Sequence, residues 1–134
     1  VVTNDENLAE RVMTVSDTGA ALVFDPVAGP MLTALADAAA PGATIFEYGA
    51  LSSEPTPFPL FQALSKGLSI RGYTLFEIVT RPEILRAGKQ LICNGLEAGT
   101  LKPIIDSTFR LDDIVAAHRH MESNRQKGKI VVKV

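Results

Sequence analysis

The sequence predicts an α/β protein built on a parallel, doubly wound sheet. Three observations carry that expectation. Short apolar runs at 21–24, 43–48 and 68–73 alternate with longer segments whose apolar residues recur at helical spacing. The connections between them are short, which favours parallel neighbours joined by right-handed crossovers. Each run also ends in turn chemistry: Asp25-Pro26 after the first, Gly49 after the second, Tyr73 to Leu75 after the third. Open α/β sheets bind ligands just beyond the carboxyl ends of their strands, so these three ends are expected to frame one crevice.

Taken in order, residues 1–3 (Val-Val-Thr) read as strand. Asn4 or Asp5 is expected to cap the helix that follows, with Glu6 near its positive end and Leu8, Val12 and Val15 on one face. Residues 16–19 form a turn. After the strand 21–24, Gly29-Pro30 leads into a helix over about 30–39, with Met31, Leu32, Leu35 and Ala39 on one face and Pro41-Gly42 as its stop. The strand 43–48 closes at Gly49. The loop 52–59 holds three prolines and is expected to run extended over the surface. A helix at 60–66 ends at Gly67. In the strand 68–73, Ser69 and Arg71 alternate with apolar neighbours, the pattern of a sheet edge.

A helix-strand-helix-strand extension follows. Thr80 to Glu83 has the spacing of a capping box, with Pro82 in the first turn. That helix is expected to reach about residue 98, to bury Ile84, Gly88, Leu91, Ile92 and Gly95, and to stop at Gly99. A strand at 103–109 comes next. The second helix, from Asp112 or Asp113, should turn Leu111, Ile114, Val115, His118 and Met121 inward before a final alternating strand at 129–134.

Composition narrows the function classes. The 134 residues are 46% hydrophobic and 21% charged, the profile of a globular domain with a real core. A net charge of −2 without any basic run argues against nucleic acid and anionic membranes as partners. No apolar run is long enough to span a bilayer. Cys93 is the single cysteine, so no internal disulfide forms, which fits a cytoplasmic location.

Candidate chemistry concentrates at the three strand ends. Asp25, followed by Pro26 and Val27, can orient a ligand or a water; the alternative is a turn residue bonded to its own backbone. Gly49, Ala50, Leu51 and Ser52 offer backbone groups that a flat ring can approach, or else form an ordinary turn. Tyr73, Thr74 and Leu75 are a third contact or a plain strand end. His118 and His120 are two apart, so they share no helical face and do not suit a metal. His118 reads as a hydrogen-bonded core residue and Cys93 as inert. Arg125, Lys127 and Lys129 read as solvated surface charge. No serine-histidine-acid set and no catalytic carboxylate pair can be assembled.

The motifs together carry a family resemblance. Phe24 to Pro30 (FDPVAGP), Pro41-Gly42-Ala43 leading to Tyr48 to Ser52 (YGALS), Gly99 to Asp106 (GTLKPIID), Ala117 to Glu122 (AHRHME) and Gly128 to Val132 (GKIVV) occur in the order of a known coenzyme domain. The chain resembles the second half of that domain in the medium-chain dehydrogenase/reductase superfamily, and is most similar to the quinone oxidoreductase (zeta-crystallin-like) branch. The resemblance implies a partial Rossmann-type sheet. Residues 1–75 would be part of the dinucleotide-binding domain, and 76–134 a segment that packs on the catalytic domain in the intact family. No G-x-G-x-x-G is present. By this resemblance the chain starts at the third strand of six and lacks the catalytic domain, where the family's zinc residues lie.

The resemblance further implies NADPH as cofactor, with NAD not excluded, and hydride transfer to a quinone or α,β-unsaturated carbonyl. Asp25, Pro26, Val27, Gly49, Ala50, Leu51, Ser52, Tyr73, Thr74 and Leu75 would contact the cofactor, with no catalytic side chain and no metal ligand in this chain. Alone, the chain is expected to bind NADPH weakly or not at all and to be inactive; in the intact enzyme, a valine at Gly49 is expected to disturb cofactor binding while the fold survives. Without the first two strands of a 3-2-1-4-5-6 sheet, 21–24 becomes an exposed edge opposite 68–73. Pairing through the latter gives a homodimer. The alternative is a non-catalytic interaction or regulatory domain on the same fold.

Overall fold

A computed structural model describes residues 6–134. The expected strand at 1–3 and the candidate caps Asn4 and Asp5 lie outside the described residues. The chain divides into two compact units, the first running to Arg81 and the second spanning Pro82–Val134. Among the described residues, no helix is long and apolar enough to cross a membrane.

The first unit opens with α1 (Leu8–Ser16), which packs on α2 (Met31–Ala38). Its cap is Asn7, neither Asn4 nor Asp5: the Asn7 Oδ1 accepts the Glu10 N–H at 3.2 Å, satisfying one of the free donors of the first turn. Three parallel strands follow, β1 (Ala20–Asp25), β2 (Ala39–Glu47) and β3 (Ser69–Gly72), in the order β1-β2-β3. Among the described residues, β1 and β3 are the outer strands of this sheet, as expected. The helix α3 (Leu60–Lys66) ends at Gly67, which is left-handed.

Pro41-Gly42 does not stop α2. The helix already ends at Ala38, and Ala39 enters β2 opposite Ala20. Pro41 and Gly42 instead sit in an irregularity of β2, between the pairings Ala20–Ala39 and Leu22–Thr44, with Gly42 at φ +73°. The end of α2 is closed from another element. Lys66, in the last turn of α3, donates from Nζ to the carbonyls of Ala36, Asp37 and Ala39 at 3.0, 2.7 and 2.9 Å. A helix C-terminus is partially negative, so an ammonium there satisfies carbonyls and dipole together.

The register sorts the sheet into two faces. Val23, Ile45 and Ile70 align across the strands and pack with Leu32, Ala36 and Leu68 to form the core, in which Ala36 and Ile45 are fully buried. The opposite face carries Leu22, Phe24, Phe46 and Arg71, and it is open. Leu22 and Phe24 are each 61% exposed. Phe24 stacks on Phe46 at 5.1 Å, and the Arg71 guanidinium lies 5.8 Å from the Phe46 ring. A short helix, α4 (Phe76–Val79), was not foreseen. The Thr80 hydroxyl donates to the Phe76 carbonyl and so ends α4, where a box opening the next helix was expected.

The second unit contains α5 (Pro82–Glu97), β4 (Ile105–Arg110), a 3-10 turn (Leu111–Asp113), α6 (Ile114–Glu122) and β5 (Lys129–Lys133), the expected helix-strand-helix-strand order. Its two strands are parallel. Two expectations of burial fail here. On α5, Ile84, Gly88 and Gly95 are half-buried, but Leu91 and Ile92 are exposed. On α6 the buried residue is Ala117; Leu111, Ile114, Val115, His118 and Met121 all stay exposed. A two-stranded sheet has too little surface to cover both apolar stripes. Ile114, His118 and Met121 do face β5, lining an open groove of about 160 Å³ with Ile130 and Val132.

His118 is therefore no core residue. The histidine with a partner is His120, whose Nε2 lies 2.8 Å from Asp106 Oδ2. Asp106 occupies an irregularity in β4, and its other oxygen accepts the Lys127 N–H at 2.9 Å. The His120 contact and then the Lys127 N–H hold the Asp106 carboxyl below its usual range.

Candidate functional site

Parallel pairing brings the carboxyl ends of β1, β2 and β3 together at one end of the first sheet. Asp25 and Glu47 are register partners, and Glu47 in turn pairs with Gly72. Beyond them the backbone continues the ladder: Tyr48 N–H donates to Asp25 O at 3.0 Å and Tyr73 N–H to Glu47 O at 2.9 Å. Ten residues predicted for the site thus extend from three adjacent strand ends, although their side chains do different things.

Asp25 serves its own turn. Its side chain is 3% exposed, and its two oxygens accept the N–H groups of Val27 at 2.7 Å and Ala28 at 3.1 Å. This is the turn reading of the aspartate, and those bonds hold Ala28 at φ +58°, a left-handed backbone unusual for alanine. The next residue, Gly29, donates its N–H to Thr56 Oγ1 at 2.9 Å, tying the proline-rich loop to the turn. Pro26 and Val27 act through carbonyls, which accept the N–H groups of Leu51 at 3.2 Å and Ser52 at 2.9 Å. The first two strand-end turns are therefore clasped together.

That clasp explains Gly49. A Cβ on Gly49 would come within 2.5 Å of the Pro26 carbonyl oxygen, and the obstacle is backbone. The glycine is needed for one turn to approach the other. A valine there would press on the Pro26 backbone, so it is expected to cost stability as well as to disturb the site.

What remains available is specific. Among the described residues, the N–H groups of Gly49 and Ala50 have no acceptor. Around them stand apolar side chains in water: Tyr48 at 48% exposure, Leu51 at 78% and Leu75 at 67%. Sequence reasoning did not include Tyr48, Thr56 or Glu47. Alternation along β2 places Ala43, Ile45 and Glu47 on one face, and that signal could have marked Glu47. Among the described residues, its two carboxyl oxygens are out of water and have no hydrogen-bond donor. Burial, followed by the charge of Asp25, pushes the Glu47 carboxyl upward.

Comparison with known proteins identifies this arrangement. A family described as zinc-binding dehydrogenase matches residues 2–132, nearly the whole chain. The chain belongs to the zinc-binding dehydrogenase family. Its α/β fold with parallel sheets is shared with solved oxidoreductase structures. The trans-enoyl reductase poxH of Penicillium oxalicum is 30% identical over 107 residues, covering 71% of this chain and 26% of the reductase. A quinone oxidoreductase of Pseudomonas syringae pv. tomato DC3000 superposes with a TM-score of 0.79 at 20% identity, covering all of this chain and 42% of that one. Mycobacterial Rv1454c, solved in complex with NADPH, gives 0.78 at 20% identity, over 95% of this chain and 39% of that one. The chain thus spans between a quarter and about two fifths of the length of these oxidoreductase relatives.

Zinc and a nicotinamide nucleotide are the groups this zinc-binding dehydrogenase family implies. Among the described residues, no three His, Cys, Asp or Glu side chains gather to hold a metal ion. These residues do not fit a zinc site. A nicotinamide ring is a better match, being flat and apolar with one carboxamide. The Gly49 and Ala50 N–H donors, flanked in the chain by exposed Tyr48 and Leu51, have the chemistry to receive it.

Proposed function

We propose that this chain supplies the nicotinamide-binding strand ends of an NADPH-dependent oxidoreductase that reduces a quinone or an α,β-unsaturated carbonyl. The observation that carries this reading is the pair of unused N–H groups at Gly49 and Ala50, set among exposed apolar side chains. NADPH, when bound, supplies the hydride; NADH carries the same nicotinamide and would meet the same strand ends. The residues of this chain position and shield. The Gly49 and Ala50 N–H groups would donate to the carboxamide oxygen and so orient the ring. Leu51 and Leu75 would shield the ring from water, with Tyr73 and Thr74 just beyond the end of β3. Asp25, Pro26 and Val27 act by holding the second turn in place through the bonds described above. No side chain of this chain is assigned a proton-transfer role, so acceleration comes from orientation and local electrostatics.

The outer strand β3 is proposed to pair with its copy, making a homodimer in which two sheets continue through Ser69–Gly72. A second reading, a non-catalytic interaction domain, is favoured by one observation: the exposed Leu22 and Phe24 on the open sheet face. Turnover separates the two. NADPH oxidation is followed with a quinone and with an enone, for this chain alone and for the chain joined to a complete glycine-rich coenzyme unit and catalytic domain. The reading expects activity only for the joined protein. A joined protein that binds NADPH and reduces neither acceptor would overturn it.

A further inference from the structure

The core face of the first sheet ends in an unusual way. Val23, Ile45 and Ile70 form an apolar row, and two positions further along the same face stand Asp25 and Glu47, side by side in register. Two carboxyl groups at the end of a core need compensation, and only one has it. Asp25 accepts two backbone N–H bonds, from Val27 and Ala28. Among the described residues, Glu47 has neither water nor any donor at either oxygen.

The other charged groups of the unit give Glu47 no relief. Its partner on β3 is Gly72. On α2 and α3, Asp37 and Lys66 meet at the Ala39 end of β2, the far end of the strand from Glu47. Arg71 belongs to the open face, where its guanidinium pairs with Glu77 at 2.6 Å. Asp25 is the charge that faces Glu47, and it has the same sign. The arrangement is neutralised most simply by one proton: kept on Glu47, it can be donated to Asp25, and the pair then carries a single charge.

We infer that Asp25 and Glu47 form a one-proton latch that keeps the strand-end turns at 26–29 and 49–52 closed, and that release of this proton to solvent loosens them. The mechanical link is short. Asp25 holds the Val27 and Ala28 N–H groups, and the Pro26 and Val27 carbonyls hold Leu51 and Ser52. A second negative charge at Glu47 repels the carboxylate that organises the first turn, and the second turn hangs from the first. The latch goes beyond the proposed chemistry and is independent of any bound nucleotide.

The sign of the linkage is definite. A carboxyl raised above its ordinary value of 4.5 contributes stability that is complete below 4.5 and is lost as pH rises through its value in the folded protein. Tyr48 and Tyr73 are the only tyrosines and both belong to the first unit, so tyrosine fluorescence in urea reports that unit within the full chain. For the wild type, the unfolding constant is expected to rise by up to about tenfold per pH unit just above 4.5 and then level off. Glu47→Gln keeps the shape and the donor, and its curve is expected to be flat over the same window. Parallel curves for the two proteins would overturn the latch. Carboxyl NMR of the wild type gives a check that needs no variant. Glu47 is expected to titrate above its ordinary value while the Val27, Ala28 and Ser52 amides lose exchange protection with it. An ordinary Glu47 titration, or amides that keep their protection, would also overturn the proposal.

Discussion

The two faces of the β1-β2-β3 sheet are built from the same strands, one residue out of phase, and differ in almost everything else. On the covered face, Ile45 and Ala36 are sealed from water and Leu32 nearly so. On the open face, Phe24 and Leu22 are mostly exposed, and the half-buried Phe46 stacks on Phe24 beside the Arg71 guanidinium. A slip of one residue would exchange the two faces, so the covered face alone fixes the register. The open face is then free of any role in specifying the fold. Its exposed apolar residues are the observation that favours the second reading, an interaction domain.

Substitutions can break that contrast or sharpen it. Ile45→Ala leaves a cavity in the covered face and is expected to cost about 2–4 kcal/mol, measured by urea unfolding followed through the tyrosines. Gly49→Val forces a branched side chain against the Pro26 carbonyl and is expected to cost about 1–3 kcal/mol. An unchanged midpoint would show that the two turns are not clasped. Lys66→Met keeps the length of the side chain while three carbonyls at the end of α2 lose their donor. A loss of about 1–2 kcal/mol is expected in the same assay. Phe24→Thr, on the open face, is expected to change stability by no more than about 0.5 kcal/mol. A loss as large as that of Ile45→Ala would mean that the open face is part of a core after all.

The strands and the helix at 60–66 were legible because their signals are local: apolar runs, period-two alternation, and Gly67 beyond a last turn. Pro41-Gly42 misled for the same reason. Those residues read as a helix stop, yet the end of α2 is set by Lys66, which lies 27 residues after Ala39 in sequence and contacts it in space. Gly49 was recognised as a place of close approach, but the partner is the Pro26 backbone. Asp25 was readable as a turn residue, and its neighbour Glu47 was not noticed because a lone glutamate in a strand signals nothing until the strand beside it is known. The apolar stripes of α5 and α6 show the remaining limit. Periodicity tells which side of a helix is apolar, and only the tertiary structure tells whether anything covers it.

The central claim is that the strand ends of β1, β2 and β3 receive the nicotinamide end of the cofactor. The most direct measurement is an NMR titration of the chain with NADPH, reading every backbone amide. The account predicts weak binding in the millimolar range, with shifts concentrated at Gly49, Ala50 and Leu51 and extending to Tyr73, Thr74 and Leu75. Micromolar affinity, or shifts that bypass these amides, would contradict it.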